Sequence, residues 1–209
     1  SQALVAGRWL PCGKPTTLAT TTMDNGGNRL PDVVGALSVK QGWGSAQIMG
    51  ASHVVSPGYQ GTAVTTGPSS ETGYAVGAGI SLKVPGMGYN DTFAVQGNYA
   101  KGAMRYVTGA GNMTYANGDS IGYGIITDGV FGATGGIELT TGWSIGAAYQ
   151  HGWSKTLKTS LYGGYVDINY NDAANTLICA DIGTMTVAGG CNNDYSFWQV
   201  GSRTSWNPV

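Results

Sequence analysis

From Gly73 onward every second residue is apolar: Tyr74, Val76, Ala78, Ile80, Leu82 and Val84 alternate with Ala75, Gly77, Gly79, Ser81 and Lys83. A period of two places the first set on one face of an extended strand and the second set on the other. The alternation returns in Phe93, Val95, Gly97 and Tyr99 against Thr92, Ala94, Gln96 and Asn98. It returns again in Leu139, Thr141, Trp143, Ile145, Ala147 and Tyr149 against Glu138, Thr140, Ser144, Gly146, Ala148 and Gln150. Along the chain this rule predicts seven strands, at about residues 32–41, 45–55, 73–84, 92–103, 137–151, 157–170 and 194–206. The connections alternate in length: 42–44, 85–91 and 152–156 are short, whereas 56–72, 104–136 and 171–193 are long. Short and long connections therefore segregate to opposite edges of an antiparallel sheet. Glycine recurs so often that no window carries an apolar stripe of helical period, and no helix of ordinary length is predicted. Residues 1–31 do not follow the alternation and are set apart as a lead-in, with 32–209 read as part of one domain.

Composition narrows the class. The 209 residues include 36 glycines but only 7 prolines, with no Gly-X-Y period, which excludes collagen. Charged residues are 10% of the chain and hydrophobic ones 42%, the reverse of what disorder requires. The net charge of −1 leaves no surplus of Lys and Arg for a nucleic-acid footprint. No run of apolar residues is long enough for a transmembrane helix. No basic-then-apolar leader opens the chain, as for a protein never exported or one whose leader has been removed. The cysteines, Cys12, Cys179 and Cys191, form no CxxC and have no nearby His pair, which argues against zinc. Cys179 and Cys191 bracket a polar, glycine-rich segment. The pair reads either as a loop disulfide, implying an oxidising compartment, or as two free thiols.

Strands of this length could belong to a soluble sandwich or to a barrel in a membrane. A sandwich exposes its polar face to bulk water and carries many charges there. Here the polar face holds mainly Gly, Ala, Ser, Thr, Gln and Asn, as a confined aqueous lumen would. Aromatics gather near both strand ends, with Tyr74, Tyr165 and Trp198 toward the long loops and Tyr149, Trp153 and Trp206 toward the short turns. Two such girdles mark the interfaces of a membrane barrel.

Four segments carry a resemblance: Leu30-Pro31-Asp32-Val33-Val34-Gly35-Ala36-Leu37, Gln41-Gly42-Trp43-Gly44-Ser45-Ala46-Gln47, Leu157-Lys158-Thr159-Ser160-Leu161-Tyr162-Gly163-Gly164-Tyr165 and Trp198-Gln199-Val200-Gly201-Ser202-Arg203-Thr204-Ser205-Trp206-Asn207-Pro208. Over residues 24–209 the chain resembles the outer-membrane porins of alphaproteobacteria, of the Brucella and Bradyrhizobium type. The resemblance implies an all-β fold, an antiparallel transmembrane β-barrel of the porin type with about sixteen strands. It further implies a homotrimer among outer-membrane lipids and lipopolysaccharide in the bacterial outer membrane, passing small hydrophilic solutes and ions by passive diffusion. No cofactor, nucleic acid or catalytic step is implied. Seven strands do not close such a barrel, so the sequence reads as an internal to C-terminal fragment, with the family's inward-folded constriction loop expected in the missing half.

Gly142-Trp143-Ser144-Ile145-Gly146 matches the GxSxG nucleophile elbow, but the unbroken alternation around it places Ser144 mid-strand with no following helix. His53 and His151 are the only histidines, lack an acidic partner at ligand spacing, and fall at opposite ends of the wall. The Gly77-Ala78-Gly79 and Gly122-Tyr123-Gly124 pairs lack the rest of a dinucleotide fingerprint. The pore-lining candidates are Lys40, Gln47, Lys83, Gln96, Asn98, Glu138, Gln150, Lys158 and Arg203. Among them Lys40, Lys83, Lys158 and Arg203 share the lumen-facing parity beside the short turns. They form either a positive stripe favouring anions or strand-end charges that snorkel to headgroups. Two other functions stand as alternatives: an outer-membrane barrel enzyme, although Ser144 and His151 have opposite parity, and a soluble β-sandwich binding module.

Overall fold

The computed structural model describes residues 30–56, 69–108, 126–132, 136–182 and 192–208, with short segments at 2–5, 8–11, 21–22, 114–117 and 120–123. Seven antiparallel strands form one sheet: β1 (Val33–Gln41), β2 (Gly44–Val55), β3 (Glu71–Val84), β4 (Asp91–Lys101), β5 (Thr141–Gly152), β6 (Leu157–Asn169) and β7 (Tyr195–Trp206). Each pairs with its predecessor, so spatial order equals chain order, and β1 and β7 are the edges. The register carries one apolar row across the whole sheet, through Leu37, Ile48, Ala78, Gly97, Ile145, Tyr165 and Trp198. A slip of one residue between any two strands would exchange their faces, so the alternation itself fixes the pairing.

The connections at one edge are tight. Gly44 closes the turn after β1 with φ +146, a conformation open to glycine, and a Cβ there would collide with the Ser81 carbonyl. Between β3 and β4 the turn at 85–90 is pinned to the end of β5. The Tyr89 N–H donates to the Gly152 carbonyl at 2.7 Å. Asp91, 1% exposed, accepts from the Gly152 N–H at 2.8 Å and from the Tyr149 hydroxyl at 2.6 Å, and lies 2.8 Å from His151 Nδ1. Close approach at this point leaves no room for a Cβ on Gly152, which would meet the Tyr89 carbonyl oxygen.

At the opposite edge the long connections turn back onto the sheet. The predicted strand at 137–151 is two elements broken at Thr140. Ile137–Leu139 pairs with Gly129–Gly132 in a separate hairpin, and β5 begins at Thr141. The break is held by hydrogen bonds from the Thr140 N–H to the Asp128 carbonyl and from the Gly102 N–H to the Thr140 carbonyl. A single helical turn, α1 (Arg105–Thr108), follows β4. In the lead-in, Gln2–Val5 pairs with Arg8–Pro11, and Thr21–Thr22 joins the hairpin at Gly129–Gly132.

The expectation that no ordinary helix exists is wrong. Helix α2 (Asp172–Ile182) occupies the connection between β6 and β7. Its sequence, DAANTLICADI, contains no glycine, Asn171 Oδ1 accepts from the Ala174 N–H at 2.8 Å as an N-cap, and Asp172 lies in the first turn. The inward positions Ala174 and Ile178 are spaced by four. They enter a core with Met104, Val107, Ile126, Val130 and Ile168, packed against Ala75 and Ala100 of the sheet.

Cys179 of α2 is disulfide-bonded. Cys12 and Cys191 lie outside the described residues, so the expected Cys179–Cys191 pairing goes to peptide chemistry. Unreduced digests are expected to yield one linked peptide containing both; linkage of Cys179 to Cys12, or free thiols at both positions, would contradict it. For the turn, Asp91→Ala orphans buried donors and is expected to lower the midpoint of thermal unfolding by about 5 °C or more, with Asp91→Asn intermediate. Circular dichroism on heating measures this, and an unchanged midpoint for both variants removes Asp91 as the anchor.

Candidate functional site

The two faces of the sheet meet different surroundings. On one, large apolar side chains stand exposed: Leu37 is 71%, Trp198 74% and Val200 70% exposed. Trp143 and Tyr165 lie with ring centroids 5.2 Å apart toward the long connections, and His151 and Trp153 4.3 Å apart toward the short turns. From Trp143 to Trp153 the chain runs about 33 Å along a strand, which at a tilt near 40° projects to about 25 Å, the height of the apolar band of an outer-membrane barrel. An exposed apolar surface of this extent has no stable place in water.

The opposite face is polar and concave. One row crosses it through Ser38, Gln47, Gly79, Gln96, Gly146, Gly164 and Gln199; the next passes through Asn98 and Ser144. Ser38, Gln47, Gly79, Gln96 and Gly146 of the first row and Asn98 of the second, with Lys40, line a trough of about 570 Å³. Gln150 follows on the row that joins Lys83, Thr92, Ser160 and Arg203. Lys158 pairs with Gly152 beside the third short turn. Lys40, Lys83, Lys158 and Arg203 all share this face, are exposed, and form no ion pair among the described residues.

Glu138 does not sit on the wall. It lies in the separate short strand, where its Oε2 accepts from Asn171 Nδ2 at 2.6 Å. The alternation extends to Glu138 across the break, which is why the pattern alone assigned it to β5. Ser144 is 8% exposed and accepts from Asn98 Nδ2 at 3.3 Å, while His151 stands on the apolar face. Gln199 and Ser38 join the polar rows by the same parity and were legible in the sequence, although not singled out there.

Toward the long connections the polar face is covered. Ala75, Ala100 and Ile168 keep the polar-face parity, yet they are buried beneath Met104, Val107, Ile126, Val130 and α2. Segments of the long connections thus fold back over the upper polar face. They are fastened by one histidine between two carboxylates. His53 Nδ1 lies 2.6 Å from Asp32 Oδ1 and its Nε2 3.7 Å from Asp128 Oδ2. The Tyr106 hydroxyl of α1 donates to Asp32 at 2.7 Å, and the Met104 N–H donates to Asp128 at 2.7 Å. Because the two carboxylates meet opposite ring nitrogens they do not converge on a common point. Among the described residues no group of three or more His, Cys, Asp or Glu is placed to hold a metal. Burial pushes the Asp32 carboxyl up, but hydrogen bonds from His53 and Tyr106, with the His53 and Arg105 charges, outweigh it and leave the carboxyl below its usual value. Burial dominates at Asp128 and raises its carboxyl despite the Met104 N–H. The hydrogen bond to Asp32 raises the Tyr106 hydroxyl.

Comparison with known protein families matches residues 6–209 to the porin subfamily. The chain belongs to that family. The match begins well ahead of residue 24 and so takes in most of the lead-in. Neither the curated proteins nor the solved structures give a match. As a porin, the chain is of the outer-membrane channel type, in a family of channels and not of enzymes, and its two-faced sheet is a sector of a porin wall.

The fastening of the inward segment is tested by Asp32→Asn. Loss of the carboxylate's partners is expected to weaken the attachment by roughly 1 kcal/mol, discounted for partial exposure. Amide exchange at 103–108 should accelerate several-fold while the central strands keep their protection. Since the Asp32 carboxyl is depressed below its ordinary 3.8, its contribution is complete above that value and is lost as pH falls through the lower folded value. Equal exchange in variant and native protein at neutral pH would show that the segment is held otherwise.

Proposed function

We propose that this porin forms a water-filled channel for passive diffusion of small hydrophilic solutes and ions, with the trough between Lys40, Gln47, Gln96 and Asn98 as part of its lumen. The observation that carries this reading is the division of one single-layer sheet into an exposed apolar face and a concave polar face. A lumen built of amides, hydroxyls and glycines binds solutes weakly, so they leave as readily as they enter, and selection rests on size and a modest charge preference. In lipid, both sheet edges need further strands, because unpaired backbone groups there cost several kcal/mol each. On this reading the wall is completed by strands pairing onto β1 and β7, and the inward segment narrows the lumen at the long-connection end. Lys40, Lys83, Lys158 and Arg203 face the permeating solution and favour anions.

The complete protein, extracted from outer membranes in detergent and reconstituted in planar bilayers, is expected to give stepwise conductance. Its proteoliposomes should admit sugars at rates that fall with solute size. Replacing Lys40, Lys83, Lys158 and Arg203 by Gln is expected to shift the reversal potential under a salt gradient toward cations. The shift should grow at low salt, where the Debye length is about 30 Å at 0.01 M. Recovery in plain buffer without detergent, or insertion without conductance, would refute the channel. A reversal potential that does not move would place the four side chains at the headgroups.

A further inference from the structure

The charges of this wall are sorted by height. At the short-turn end Lys40, Lys83, Lys158 and Arg203 lie on the polar face and Lys155 in the turn beside them. The acid described at that end is Asp91, buried and enclosed by hydrogen-bond donors. At the long-connection end two exposed bases, Lys101 and Arg105, are outnumbered by acids. Glu71 opens β3 on the polar-face parity, Glu138 stands in the short strand above the wall, and Asp32 and Asp128 flank His53. Between the ends, the rows through Gln47, Gln96, Asn98 and Ser144 carry no charge.

We propose that this axial separation makes the channel a rectifier, which passes more current when the long-connection side is positive than when it is negative. The inference rests on the diffusion-channel reading and adds a direction to it. It follows from where each ion is the majority carrier. The basic end concentrates anions and the acidic end concentrates cations, since a charged, low-dielectric wall raises local counter-ion concentration. With the long-connection side positive, cations advance from the acidic end and anions from the basic end, and both accumulate in the uncharged middle. With the opposite sign both are drawn out of the middle and the conductance falls. The basic residues form a collar and not a binding pocket. Lys83 and Arg203 stand on one row four strands apart, about 19 Å at the usual strand spacing, too far to grip one small anion together.

The test is the current ratio of the complete protein at equal voltages of opposite sign in symmetric potassium chloride. One-sided insertion sets the orientation, and streptavidin block of a biotinylated Ser154→Cys variant verifies it. At about 0.1 M salt, where the Debye length is about 10 Å, the ratio is expected to be roughly twofold in favour of the long-connection side positive. It should approach one near 1 M salt, where that length is about 3 Å. Replacing Lys40, Lys83, Lys158 and Arg203 by Gln should lower the ratio toward one. Glu71→Gln with Glu138→Gln should lower it from the opposite end. If the quadruple variant fails to insert, Lys83→Gln and Glu71→Gln alone should each give a smaller change of the same sign. A native ratio at or below one, or a ratio untouched by these substitutions, overturns the proposal while leaving the diffusion channel standing. Insertion without conductance removes the diffusion channel itself.

Discussion

Backbone hydrogen bonding in a medium without water is the constraint on which this structure depends. A strand in lipid cannot leave its N–H and C=O groups to solvent, so each must find a neighbour along nearly its whole length. Strands β2 to β6 do so on both sides through unbroken antiparallel registers. Once pairing is continuous, the side chains need only alternate, with apolar groups toward lipid and small polar groups toward water. The glycine content belongs to the same solution, because rows such as Gly79, Gly146 and Gly164 leave the lumen side open.

A single-layer wall has no internal core of its own, and the core of this chain lies elsewhere. It forms where the long connections fold onto the wall's upper polar face, over Ala75, Ala100 and Ile168. Small side chains in the sheet let Met104 and Val130 approach, and α2 closes over them with Ala174 and Ile178. The attachment mixes this apolar burial with the Asp32–His53–Asp128 bridge. His53 Nδ1 meets Asp32 at 2.6 Å whereas Nε2 stands 3.7 Å from Asp128, so the Asp32 side of the bridge is the closer one.

The short-turn end is organised differently. Its turns are held close by Gly44, Gly152 and the enclosed Asp91, and the exposed charges beside them are all basic. Asp91 is buried among its donors on the apolar-face parity, whereas Lys40, Lys83 and Lys158 stand exposed on the polar face.

The sequence by itself determined the wall: seven strands, their order, their faces and the segregation of short and long connections followed from a period of two. Such a signal is local and repeated many times, so it survives without knowledge of any contact. The parity of Lys40, Lys83, Gln96 and Arg203 was legible for the same reason. What the tertiary structure decided lies at the long-connection end. Alternation could not distinguish an alanine in water from an alanine beneath a lid, so the burial of Ala75 and Ala100 was invisible. It also ran through Thr140 without registering the break that moves Glu138 off the wall. Helix α2 was concealed by the glycines around it, although its own segment has none. The neighbours of His53, Asp32 and Asp128, come from a strand start and a distant loop, and no spacing rule joins residues that only the fold brings within 4 Å of one ring.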